Sequence, residues 1–217
     1  MIRWKLVIKE LVEHVPFTIL GAVTGIIIMG VIVFLNVPRD ISDSLFYILH
    51  PIHVVMSAVA TTSMYKLWGK GKLLPAILIG YSGSIGVATL SDAVIPYLGG
   101  TLLDASMDFH IPFIETAKMP VIGIAKWQVV NSGAALGIAI GYWKPVTKHP
   151  HAGHVLLSIW ASLFNFTAFG TANWLPLLPF VFAFLFLAVW LPCCLSDIVY
   201  PLLFARRDKK PLLPGAA

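Results

Sequence analysis

The chain carries two sets of side chains that can bind metal ions or move protons, and each set has three histidines and one aspartate in the same order. The first set is His14, His50, His53 and Asp92, and the second set is His110, His149, His154 and Asp197. Imidazole and carboxylate groups are ligands of first-row divalent ions, and histidine also relays protons near neutral pH. Three histidines and one aspartate can complete a four-coordinate Zn²⁺ site or part of a larger Mn²⁺, Fe²⁺, Co²⁺ or Ni²⁺ shell. These residues therefore predict a divalent transition metal as the bound ion.

The residues around the two sets also repeat. His-x-Pro-Phe begins at His14 and again at His110, and a Gly-Ala-x-x-Gly-Ile block follows each copy. The other two blocks are His-Pro-x₁₋₃-His-Val and Leu-Ser-Asp-x-Val-x-Pro. Equivalent positions lie 96 to 112 residues apart. A repeated order that includes His, Asp, Pro and Ser predicts an internal duplication.

The elements that must position these residues are apolar helices. Of the 217 residues, 58% are hydrophobic and only 12% are charged, and the mean hydropathy is +0.86. A soluble domain has about 25% charged residues, so this composition indicates a membrane protein. Stretches of roughly 20 apolar residues span a bilayer as helices. We predict six spans, at 15–37, 45–66, 74–98, 120–142, 154–173 and 177–204.

The basic residues predict the orientation. Twelve of the 15 lysines and arginines flank the spans on one side, which the positive-inside rule assigns to the cytoplasm together with both termini. The formal charge of +5 is therefore a topology signal, and we expect no nucleic-acid partner. The first span has no small-residue cleavage pattern around Pro38, which fits an uncleaved protein of a prokaryotic cytoplasmic (inner) membrane.

The predicted fold is an all-α integral membrane protein built as a 3+3 inverted repeat. Each half has an odd number of spans, so the second half crosses the bilayer in the opposite sense, a plan typical of secondary transporters. The predicted boundaries are a cytoplasmic segment at 1–13, the first repeat at 14–99, an external linker or re-entrant segment at 100–119, the second repeat at 110–204 and a cytoplasmic tail at 205–217.

This topology predicts one polar cluster toward each membrane face. The external cluster is His50, His53, Asp92 and His110, and the cytoplasmic cluster is His14, His149, His154 and Asp197. His50 and His53 are three residues apart, so one helix face presents both to the same partner. An aspartate inside a span is costly unless it faces a partner or a watery cavity, so both aspartates are functional candidates.

Structural alternatives remain open for these residues. The histidines can be interfacial or packing residues at helix starts, and the aspartates can satisfy backbone groups freed by the prolines that follow them. Cys193 and Cys194 read as buried inert thiols. Lys126 either pairs with Asp92, Asp104, Asp108 or Glu115, or extends to the interface. The glycine-rich faces predict close helix contacts, within the chain or in a homo-oligomer.

Three function classes follow from these residues. The preferred class is a carrier or channel in the lipid bilayer for a divalent transition-metal cation, with proton coupling, or for a small organic solute. The second is an intramembrane metal-dependent enzyme that acts on lipid, because such ligands also hold a metal-activated water. The third is a haem-binding membrane subunit, because paired histidines can ligate iron axially.

Overall fold

The structure, a computed structural model, is mostly helical and describes residues 4–69, 71–119, 123–146 and 148–204. Its α-helices are α1 (Trp4–Phe34), α2 (Arg39–Trp68), α3 (Leu73–Thr89), α4 (Ile95–Leu102), α5 (Lys126–Trp143), α6 (Lys148–Phe169), α7 (Leu178–Cys194) and α8 (Tyr200–Leu203). Two short strands, β1 (Ser106–Met107) and β2 (Gly170–Thr171), pair antiparallel. The predicted helical class is confirmed.

Four helical stretches among the described residues are long and apolar enough to cross a membrane. They are His14–Phe34, Arg39–Trp68, Leu73–Leu102 and Leu175–Cys193. Along α1, large apolar side chains are exposed at successive turns, including Leu20, Ile27 and Val31. A continuous exposed apolar face suits lipid better than water. The structure is therefore compatible with an integral membrane protein.

The helices extend beyond the apolar stretches that predicted them. Helix α1 begins at Trp4, because lysine is a good helix former and the basic segment does not break the helix. Helix α2 begins at Arg39, so His50 and His53 are the twelfth and fifteenth of its 30 residues. Both histidines thus lie near the middle of α2, whereas the predicted span at 45–66 placed them near its beginning.

Each Leu-Ser-Asp-x-Val block forms a π-helical turn. The first π turn, Leu90–Val94, joins α3 to α4, and the second, Leu195–Val199, joins α7 to α8. In the first turn the Ile95 N–H donates to the Leu90 carbonyl, five residues back. Pro96 has no N–H for the Asp92 carbonyl, and its ring would clash there in an α-helix. The wider turn relieves this clash, and π turns are frequent at functional sites.

Helix α2 lies at the centre of the bundle and packs along α3, α5 and α6. Helix α5 approaches α2 through glycines: a Cβ added at Gly137 would lie 2.7 Å from the Ala58 Cβ. Helix α1 approaches α6 in the same way, since a Cβ added at Gly21 would lie 3.3 Å from Leu156. The predicted small-residue contacts are therefore made between helices of this chain.

Residues 103–119, within the predicted linker or re-entrant segment, form turns, an extended segment and strand β1. The Asp108 N–H donates to the Phe169 carbonyl at 2.8 Å, next to the β1–β2 pair. This segment is thereby attached to the end of α6, and it carries His110 to the bundle.

Candidate metal centre

Asp92 lies in the bundle interior and accepts four hydrogen bonds. Its Oδ2 accepts from His50 Nδ1 at 2.8 Å and from His53 Nδ1 at 2.7 Å. Its Oδ1 accepts from the Ser91 hydroxyl at 2.7 Å and from the Ser158 hydroxyl at 2.6 Å. All five side chains are fully or almost fully buried. The two carboxylate oxygens offer about four lone-pair positions, and each position accepts one of these donors. Hydrogen bonds of this kind favour the ionised carboxylate.

Different elements position these groups. One face of α2 presents both histidines, as their three-residue spacing predicted, and the first π turn presents Ser91 and Asp92. Helix α6 contributes Ser158 and also holds the backbone of the π turn, since the Ser162 hydroxyl donates to the Ser91 carbonyl at 3.0 Å. The centre therefore joins residues from both halves of the chain.

The two imidazoles are oriented by the carboxylate between them. When Nδ1 of each ring donates to Asp92, Nε2 of each ring has a lone pair that faces away from it. His50 Nε2 is buried and has no hydrogen-bond partner among the residues that the structure describes. A carboxylate that fixes the tautomer of a histidine is the usual second partner of metal-binding imidazoles.

His50, His53 and Asp92 also form a group whose ligand atoms all lie within 4.8 Å of one another, so the group can hold a metal ion. Around a metal at 2.0–2.1 Å, ligand atoms in tetrahedral positions are about 3.3 Å apart. The observed 2.7–2.8 Å are hydrogen-bond distances, so a metal bound at these atoms would replace the shared protons. The same group can therefore hold either protons or a cation.

Two further histidines continue from His53. The ring of His154 stacks on His53 with centroids 5.7 Å apart and an interplanar angle of 15°. The ring of His14 follows, 6.3 Å from His154. Both are buried, at 0% and 4% exposure. Two histidines that were expected in the other cluster thus join the group around Asp92.

His110 lies at the opposite end, beyond His50. The Phe46 ring stacks on His50 at 5.2 Å and meets the His110 ring edge-on, also at 5.2 Å. Phe169 covers another side of His110, with ring centroids 3.8 Å apart. His110 Nε2 is buried and has no hydrogen-bond partner in the described part of the chain. His110 is therefore separated from the Asp92 centre by one aromatic ring.

We call this row of side chains the histidine file. In spatial order its members are His110, His50, Asp92, His53, His154 and His14. The sequence predicted two separate clusters, whereas the stacking of His53 on His154 connects them. The side chains of His149 and Asp197, the other two predicted ligands, lie outside the described residues.

A charged group lies about two turns from His50, near the start of α2. The Lys126 ammonium is 3.0 Å from Asp43 Oδ1, 3.1 Å from Glu115 Oε1 and 4.1 Å from the Tyr47 ring centroid. The Tyr47 hydroxyl donates to the second oxygen of Glu115. Of the pairings considered for Lys126, the structure therefore contains the one with Glu115. This group brings two acids close to the His110 end of the file.

Sequence patterns missed several polar members of the site. The sequence patterns did not single out Ser158 and Ser162 as hydrogen-bond donors to the first π turn. From the sequence, Cys193 was interpreted as inert. The Cys193 sulfur lies 3.9 Å from His53 Nε2 and 3.8 Å from the Ser158 oxygen. Asn165 is 1% exposed, and neither amide atom has a hydrogen-bond partner among the described residues. The spacing 158, 162, 165 on one helix face was the available signal.

No protein-family model, curated protein or solved structure matches this chain. Its function is therefore inferred from the chemistry of the site.

His110 makes the stability of the protein depend on pH. Burial lowers the pKa of its imidazole from 6.5 to about 4, although the charge of Glu115 opposes this shift. Between these two values the unfolded chain binds the proton and the folded chain does not, so stability falls as the pH drops from 6.5 to 4. We expect the His110→Gln variant to lack this part of the loss. Thermal unfolding in detergent across this pH range measures the loss of stability. Parallel curves of unfolding temperature against pH for the wild type and the variant would contradict the prediction.

Proposed function

We propose that this chain is a membrane carrier or channel for a divalent transition-metal cation, with proton exchange on the histidine file as the coupling. The observation that carries the proposal is the buried centre of His50, Asp92 and His53, which His154 extends on one side and His110 extends on the other, across the Phe46 ring. A site that only binds an ion needs one ligand set. A row of ligands through a helical bundle supplies successive positions for a moving ion.

Electrostatics favours the cation as cargo. A carboxylate in a low-dielectric interior is costly unless it is compensated, and Lys126 is already paired with Asp43 and Glu115. The charge of Asp92 is thus stabilised by the imidazole N–H protons whose hydrogen bonds it accepts, or by a metal ion in their place. Exchange of one for the other at the same atoms is the basis of the proposed proton coupling.

The packing of the halves supports the inverted repeat. Gly21 of α1 meets Leu156 of α6, and the equivalent Gly133 of α5 meets Val55 of α2, which is the repeat equivalent of Leu156. The first helix of each half therefore packs on the second helix of the other half. The two π turns at equivalent blocks support the same interpretation. We propose six spans on this basis, with both termini in the cytoplasm, as the distribution of basic residues indicates.

A lipid hydrolase is the competing function, because the same ligands can hold an activated water. Two observations favour transport. Asp92 and both histidines bonded to it are at most 1% exposed, and the file continues past them in both directions. A hydrolytic centre needs direct access for a lipid ester at the metal.

Ion flux into proteoliposomes tests the proposal. Liposomes that contain the protein and a metal-sensitive dye are exposed to Zn²⁺, Co²⁺, Ni²⁺, Mn²⁺ or Fe²⁺. We expect saturable flux of at least one ion, accompanied by a pH change inside the liposomes. His53→Gln should lower that flux by about tenfold or more, because it removes a ligand and a donor to Asp92.

His151→Gln is the matched control, since His151 is the one histidine with no equivalent in the repeat. It should leave the flux unchanged. Flux no greater than in protein-free liposomes for all five ions would overturn the proposed function.

A further inference from the structure

His53 faces a second candidate ligand on the side away from Asp92. Its Nδ1 is fixed by the carboxylate, so its Nε2 points toward Cys193, whose sulfur lies 3.9 Å away. The thiol is 2% exposed and His53 is 1% exposed. The sulfur also lies 3.8 Å from the hydroxyl of Ser158, which itself donates to Asp92. Cys193 is therefore in contact with the polar centre, although it packs against the apolar core through its other side.

The separation of the two atoms fits a shared metal ion. With Zn–S near 2.3 Å and Zn–N near 2.0–2.1 Å, sulfur and nitrogen in a tetrahedral site are about 3.6 Å apart. The observed 3.9 Å therefore requires a movement of only about 0.3 Å. The Asp92 group differs, because its atoms are at hydrogen-bond distance and would have to spread.

We infer that His53 Nε2 and the Cys193 thiolate form a second, softer cation position in the file, adjacent to the position of His50, His53 and Asp92. The next imidazole along the file, His154, is stacked 5.7 Å from His53. When the ion binds, the Cys193 thiol releases its proton to the solvent, and the sulfur forms the metal bond. The imidazole of His53 then lies between the two positions and connects them.

Charge identifies the class of ion. One thiolate and the nearby Asp92 carboxylate carry two negative charges, which balance one divalent cation. The two positions with one bound ion are therefore neutral together, as a low-dielectric interior requires. Thiolate ligands select Zn²⁺, Cd²⁺ and Co²⁺ over Mn²⁺ and Mg²⁺, which prefer oxygen. The inference deepens the proposed transport function by naming the selectivity of the path, but it concerns binding and is tested without flux.

Co²⁺ binding to the full-length protein in detergent tests this position. A thiolate bound to Co²⁺ gives a charge-transfer band in the near ultraviolet, whereas histidine and carboxylate ligands give only the weaker visible bands. We expect the near-ultraviolet band in the wild type, its loss in Cys193→Ser and its retention in Cys194→Ser. Zn²⁺ should displace the band, and Zn²⁺ affinity should fall at least tenfold in Cys193→Ser with Mn²⁺ affinity unchanged.

The outcomes separate the two proposals. A wild-type protein saturated with Co²⁺ that lacks the band, or a band lost in Cys194→Ser and kept in Cys193→Ser, overturns the second position, whatever the flux. A Cys193-dependent band in a protein that moves no ion leaves this position standing and overturns transport. Cys193→Ala, with monodispersity checked by size exclusion, guards against a folding defect in the serine variant.

Discussion

Replacing Asp92 by asparagine is expected to reduce metal flux by about tenfold to a hundredfold. The carboxylate accepts hydrogen bonds on both oxygens, from two imidazoles on one side and two hydroxyls on the other. An amide has one oxygen and an NH₂ group, so one of these pairs of donors would face another donor. The variant also lacks the negative charge that balances a bound cation. Flux in proteoliposomes and metal content by elemental analysis measure both effects.

Asp104→Asn is the matched control for this substitution. Asp104 is exposed and has a positive φ of 56°, a conformation that asparagine adopts readily. We expect wild-type flux and metal content from this variant. If Asp92→Asn transports as well as Asp104→Asn, the Asp92 centre is not part of the ion path.

Replacing Gly137 by alanine is expected to destabilise the bundle by about 1–3 kcal/mol. A methyl group at this position would meet the Val55 carbonyl and would lie 2.7 Å from the Ala58 Cβ. Because the Val55 carbonyl belongs to the α2 backbone, it cannot rotate away, and α5 must move off α2. This cost outweighs the advantage of about 1 kcal/mol that alanine has over glycine within a helix. Thermal or denaturant unfolding in detergent measures the change.

Gly30→Ala provides the comparison, because a Cβ at Gly30 of α1 would meet no atom within 4 Å. This variant should be as stable as the wild type or slightly more stable. Equal shifts in the two variants would contradict close packing of α5 on α2. Since α2 carries His50 and His53, we also expect Gly137→Ala to weaken metal binding while Gly30→Ala does not.

Local sequence determined the helices and the identity of the main candidates. Hydropathy over some 20 residues indicates an apolar helix without knowledge of its neighbours, which is why the helical class was predictable. The three-residue spacing of His50 and His53 likewise placed both on one face of α2, and they do share Asp92. Helix ends were less predictable, because the charged residues before the apolar part of α2 are compatible with helix.

Tertiary structure decided which of the candidates meet. Asp92 is 39 residues from His53 and 66 residues from Ser158 in the sequence. Cys193 is 140 residues from His53, so no local sequence pattern can pair them. These contacts depend on how closely the helices approach at their glycines and on the π turn that directs Asp92 inward. Periodicity gives the face of a helix but not its partner. For that reason the sequence predicted two separate clusters, and only the packing of α2 against α6 brought His53 and His154 into one file.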